Sequence, residues 1–213
     1  MKSLVACAVL GLAGWLAAVP LSASPFAAVV KNAKGALVAD AVIALVPLDG
    51  APLPPPTGNE IPQRDQEFTE YVTVVQSGAR VLFPNRDSVQ HHVYSLSKAK
   101  KFELPLYNPG QSESFVFDVS GVVTLGCNIH DWMVAYLFVV PTPYFAKTDH
   151  EGSASVAAPP GRYRVDVMHP LLAKTISAEI TLPGETVPRE FVLTLKADRR
   201  VRRGVDGKSG GYR

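Results

Sequence analysis

Gly126-Cys127-Asn128-Ile129-His130-Asp131-Trp132-Met133 sets a thiol, an imidazole and a thioether within seven residues, at the spacing C-x2-H-x2-M. The flanking runs are β-rich, 122–125 leading in and 134–140 leading out, so the three side chains fall on a tight loop between two strands. Upstream of the loop, Phe115, Phe117 and Val119 alternate with Ser114, Val116 and Asp118, and Ser120-Gly121 then turns the chain. Further short runs at 26–31, 41–46, 68–75, 80–83, 92–95, 162–168, 176–182 and 191–195 are separated by Gly, Pro, Asn and Asp. No stretch beyond the N-terminal apolar run keeps a helical period. The pattern predicts an all-β chain built as a sandwich or barrel.

The N-terminal end carries a different signal. Lys2 precedes an uncharged apolar stretch from Leu4 to Val19, and Leu21-Ser22-Ala23 supplies small residues before Ser24-Pro25. This order predicts an export signal over residues 1–23 and a periplasmic location. The stretch is too short for a confident membrane span, so no stable membrane insertion is expected. The last 18 residues hold seven Lys/Arg against two Asp, and the whole chain is +2. Taking away this +5 tail and Lys2 leaves −4 on residues 24 to 195. Such a body lacks the basic face of a nucleic-acid binder. Residues 197–213 mix Arg, Gly, Ser and Asp without apolar period and read as a disordered basic tail.

Cysteine usage narrows the chemistry. Of Cys7 and Cys127, only Cys127 lies beyond the export segment, so the exported chain has no disulfide partner for it. A lone thiol in an oxidising compartment needs burial, a reactive role or a metal. Beyond Met1 the chain has two methionines, Met133 and Met168, and Met133 shares the loop with Cys127 and His130. Thiolate and thioether are soft donors that select copper, and imidazole suits both of its oxidation states. Zinc sites add Cys, His or carboxylate and rarely a thioether. A second imidazole, His91, ends Asn85-Arg86-Asp87-Ser88-Val89-Gln90-His91 at the start of another strand.

These two segments resemble the cupredoxins, most closely the amicyanins and the plastocyanin-like accessory proteins of methylamine utilization. The amicyanin branch has the same short C-x2-H-x2-M loop and a similar N-R-x-x-x-x-H stretch. The resemblance spans roughly residues 70 to 140 and implies a Greek-key cupredoxin sandwich with one type 1 (blue) copper site. His91, Cys127, His130 and Met133 would hold the metal, which cycles between Cu(I) and Cu(II). It further implies a monomeric single-electron carrier, not an enzyme. The partner would be a periplasmic redox protein, a dehydrogenase or a c-type cytochrome.

The chain departs from the family at two positions. His92 stands where the relatives have Asn, and strand alternation sends His91 and His92 to opposite faces, so only one can reach the metal. The motif match favours His91. Asp131 stands where the relatives often have Pro, next to the His130 ligand position.

Outside this region, the 26–46 hairpin resembles the carboxypeptidase regulatory-like β-sandwich module, together with Thr148-Asp149-His150-Glu151-Gly152 and Pro159-Pro160-Gly161-Arg162-Tyr163. Six prolines between Pro47 and Pro62 read as an exposed connector. The expected organisation is residues 24–65 as the first part of that module with its connector, 66–141 as the cupredoxin domain, and 142–196 as the module's second part. Lys98, Lys100 and Lys101 read as a solvated loop, or else as a docking patch that steers an acidic partner toward the His130 end of the sandwich. Two other functions stay open on sequence alone. One is a copper chaperone or assembly factor, although two methionines suit that role poorly. The other is a non-redox scaffold, which leaves Cys127 without a role.

Overall fold

The two flanking segments read as parts of one module meet in space. In the computed structural model, residues 24–50, 52–184 and 187–198 are described, with the backbone of 202–203 and 209–210. The export segment 1–23 and most of the basic tail lie outside the described residues. The chain forms β1 (Ser24–Asn32), β2 (Val42–Pro47), β3 (Asn59–Glu60), β4 (Gln63–Arg64), β5 (Glu67–Phe68), β6 (Val72–Gln76) and β7 (Ala79–Pro84). Then come β8 (Val93–Leu96), β9 (Lys101–Glu103), β10 (Ser112–Phe117), β11 (Gly121–Cys127) and β12 (Val134–Val140). The chain returns through β13 (Phe145–Lys147), β14 (Ser153–Ala158), β15 (Gly161–Met168), β16 (Ile176–Leu182) and β17 (Arg189–Leu193). The described residues contain no helix.

Two sandwiches result. The outer one pairs β14-β1-β17 against β13-β2-β15-β16, and Phe26, Val30, Leu45, Tyr163, Val165 and Phe191 fill it. The central one faces β10-β7-β3 with β6-β12-β11-β8-β9, around Phe83, Phe117, Leu125 and Leu137. The face read at Phe115, Phe117 and Val119 holds for the first two, Phe117 buried and Phe115 packed on the same core, whereas Val119 lies past the end of β10 and is 58% exposed.

Strands with apolar residues on both faces, β2 and β12 among them, join the sandwiches. In β2, Ile43 and Leu45 enter the outer core, while Val42 and Ala44 point the other way. In β12, Ala135, Leu137 and Val139 enter the central core, while Phe138 and Val140 turn to meet Val42 and Ala44. Val72, Val74, Phe145 and Met168 complete this third apolar layer. Lys147 ties its margin, donating to Glu70 Oε2 and to the Val72 carbonyl at 2.7 Å each.

The structure draws one boundary earlier than the 65/66 division expected from the prolines. β3 pairs in parallel with β7, and the Ile61 N–H donates to the Leu82 carbonyl, so the central sandwich already begins at Asn59. Two-residue polar strands beside prolines have no alternation to show. The pairing of β3 is decided by β7, more than twenty residues away in sequence.

Candidate metal centre

Cys127 is the last residue of β11, where Val93 of β8 is its neighbour across the ladder. The hairpin from β11 to β12 closes with the Met133 N–H donating to the His130 carbonyl at 3.0 Å. The two segments singled out in the sequence are pinned together by the Asn128 N–H, which donates to the His92 carbonyl at 3.0 Å. Backbone pairing alone therefore sets His91 beside Cys127.

The side chains converge at that end of the sandwich. Cys127 Sγ lies 3.8 Å from His91 Nδ1 and 3.6 Å from His130 Nδ1, and the three donor atoms all lie within 4.8 Å of one another. The two imidazole rings are 5.1 Å apart. A first-row metal with bonds of about 2.0 Å to nitrogen and 2.3 Å to sulfur needs sulfur and nitrogen roughly 3.5–3.8 Å apart. The donors thus already stand at coordinating distances. His91 is fully buried, Cys127 is 5% exposed and His130 is half-buried. Met133 is buried in the same core cluster as Cys127.

A buried carboxylate fixes the role of each His91 nitrogen. Asp87 Oδ2 sits 3.1 Å from His91 Nε2. Burial pushes the Asp87 carboxyl up, but donation from the Gln66 and Ser88 N–H groups and from His91 outweighs it and holds the group below the ordinary carboxylate range. Burial likewise pushes His91 below its usual value, against the opposing pull of Asp87. The pair is therefore a neutral imidazole on a carboxylate, with the proton on Nε2 and the Nδ1 lone pair free for a metal. Ligating histidines are commonly backed in this way, and the partner fixes tautomer and orientation. Tyr107 adds a second support. Its N–H donates to the His91 carbonyl at 3.0 Å and its carbonyl accepts the His91 N–H at 3.2 Å. Burial, then the nearby Cys127 and Glu113 charges, raises its phenol above the ordinary value. Behind His130, the Trp132 ring packs at 5.5 Å between centroids.

His92 turns away from this cluster. Its Nε2 is 2.9 Å from Glu103 Oε1, and its Nδ1 is 3.4 Å from the Asn128 amide nitrogen, so the ring bridges the two ligand loops from outside. If the cluster holds copper, His91→Ala should abolish that binding at micromolar protein. His92→Ala should weaken it by no more than about tenfold, the low end for an outer-shell change. Isothermal titration of both variants checks this, and equal losses would mean that both rings are needed. Asp131 is exposed at the surface.

Three groups at the site escaped the sequence reading: Asp87, Tyr107 and Gln66. A carboxylate four residues before a histidine in an irregular loop has no recognisable spacing, and a backbone contact from Gln66 has no sequence signal at all. The three lysines do not share one place in the fold. Ala99 packs on Gly121, so the turn bearing Lys98 and Lys100 is at the far end of β11 from Cys127. Six strand steps separate those ends, about 20 Å. Lys101 pairs with Leu96 and lines a shallow cleft with His92, Tyr94 and Asn128.

No protein-family model matches the chain, and no curated protein matches it. Among solved structures, a purple cupredoxin from Nitrosopumilus maritimus is similar at TM-score 0.35 and 25% identity, over 38% of this chain and 98% of that one. Amicyanin from Paracoccus versutus is similar at TM-score 0.36 and 15% identity, over 45% of this chain and 91% of that one. A copper-containing nitrite reductase from Thermus scotoductus gives TM-score 0.36 and 21% identity, over 42% of this chain and 23% of that one.

Proposed function

We propose that this protein is a cupredoxin-like copper protein that carries single electrons between redox partners outside the cytoplasm. The observation that carries the reading is the buried triad of His91, Cys127 and His130, with donor atoms at coordinating separation and a carboxylate behind His91. Met133, buried on the same loop, is the fourth donor in this reading. Copper bound there supplies a one-electron couple. The residues hold their positions before metal arrives: Asp87 and Tyr107 orient His91, Trp132 packs on His130, and the β11–β8 ladder fixes Cys127. Such rigidity keeps atomic movement small when an electron enters or leaves, which favours fast transfer.

The outer sandwich, in this reading a carboxypeptidase regulatory-like module, acts as a brace. It covers the outer face of β12, the strand that starts directly after Met133. A chaperone needs ligands that an acceptor can reach, whereas His91, Cys127 and Met133 are all buried. The apolar stretch of residues 1–23 supports export to the periplasm in this reading, where the partner would be a dehydrogenase or a c-type cytochrome.

Copper-loaded protein should be intensely coloured when oxidised, through sulfur-to-copper charge transfer, and reductant should bleach it reversibly. A visible spectrum with stoichiometric copper checks this. Tight copper binding without colour would favour a chaperone, and zinc bound in preference to copper would remove the redox role.

A further inference from the structure

Gln66 belongs to neither ligand loop, yet it is bonded to both. The β4–β5 hairpin turns through Asp65 (φ 52°) and Gln66 (φ 58°). These are non-glycine residues in the left-handed region, where L side chains carry strain of about 1 kcal/mol or more each. What the turn reaches offsets that strain. The Gln66 N–H donates to Asp87 Oδ2 at 2.5 Å, the same oxygen that backs His91 Nε2 at 3.1 Å. The Gln66 carbonyl accepts from Trp132 Nε1–H at 2.8 Å, and Trp132 is the ring packed on His130. One residue's two backbone groups thus hold the support behind each histidine. The base of the hairpin is anchored on the same side. The Arg86 N–H donates to the Gln63 carbonyl at 2.9 Å. The buried Gln63 side chain accepts from the Tyr107 hydroxyl and donates to the Ile61 carbonyl at 2.6 Å.

We propose that the Asp65–Gln66 turn is a clasp and Gln66 a positioning residue, holding Asp87 on His91 and Trp132 on His130 as one unit. Loosening the support behind either imidazole then loosens the other, although the two sit on loops far apart in sequence. The purpose of the clasp rests on the proposed metal centre. The coupling itself belongs to the metal-free chain and is testable there.

Hydrogen exchange of the Trp132 indole proton, followed by NMR in the metal-free full chain, reads the coupling directly. Asp87→Asn alters the first loop only, yet it should speed exchange of that proton on the second loop by about tenfold or more. Gln66→Pro lacks the N–H and fixes φ near −65°, and it should act alike. Gln66→Gly accepts positive φ and should stay within about twofold of the unaltered chain. In the copper-loaded protein, Asp87→Asn and Trp132→Phe should each weaken copper binding by about tenfold. The double variant should lose about tenfold in total, not a hundredfold, because either change alone opens the clasp. Indole exchange untouched by Asp87→Asn, or losses that multiply in the double variant, would overturn the proposal. If exchange couples across the loops but copper does not bind, the clasp stands and the copper assignment falls.

Discussion

Cys127→Ser should extinguish the visible colour of copper-loaded protein while leaving the fold in place. The colour depends on sulfur-to-copper charge transfer, and a serine hydroxyl is a hard donor that stays protonated at neutral pH and offers none. Copper affinity should fall by more than the roughly 10–100-fold typical of outer-shell changes, because a principal donor is lost. The metal-free chain should lose little. The side chain is 5% exposed, and burying a hydroxyl without a partner costs about 1–3 kcal/mol, which sets the upper end of the loss. Spectra with a Cu(I) competition assay, beside thermal melts of the metal-free variant, separate the two effects. Colour retained in Cys127→Ser would place the chromophore elsewhere, and a melt lowered as much as the affinity would make Cys127 a packing residue first.

The ligand loop was legible because chemistry and strand pattern coincide there. The apolar runs 122–125 and 134–140 fix the hairpin ends, and Cys127 and His130 fall between them at a spacing that a tight loop brings together. Alternation allowed only one of His91 and His92 to face the cluster and the family motif favoured His91; the structure sends the two rings to different neighbours, Asp87 and Glu103. What stayed hidden was decided by tertiary contacts. β9 has Phe102 between Lys101 and Glu103 and reads as a solvated loop, yet it pairs with β8. β14, Ser153–Ala158, is made of small residues with only Val156 and Ala158 buried, and β1 supplies its register. The position of the lysine turn was hidden for the opposite reason. Its charges were visible, but the length of β8 and β11 that carries it away from the metal centre becomes measurable only once the strands are paired.

Phe138→Ala should be the most destabilising single change away from the metal centre. Phe138 is 1% exposed and sits in the layer between the sandwiches, against Val42, Ala44, Val72, Val74 and Val140. Truncating a buried phenylalanine removes its transfer free energy and leaves a cavity, together about 3–5 kcal/mol. At roughly 2–4 °C per kcal/mol for a chain of this size, the melting temperature should fall by on the order of 10 °C. The loss should be selective. Leu137 and Val139 face the central core and Phe138 faces away from it, so the colour of copper-loaded Phe138→Ala at room temperature should match that of the unaltered protein. Near the transition the two sandwiches should part company, giving a broadened or two-step calorimetric trace where the unaltered chain gives one peak. Val192→Ala, at a side chain 53% exposed on β17, is the control, expected within about 0.5 kcal/mol. A Phe138→Ala melt within 2 °C of the unaltered protein would mean the chain crossings alone join the sandwiches, and the outer one would lose its role as a brace on β12.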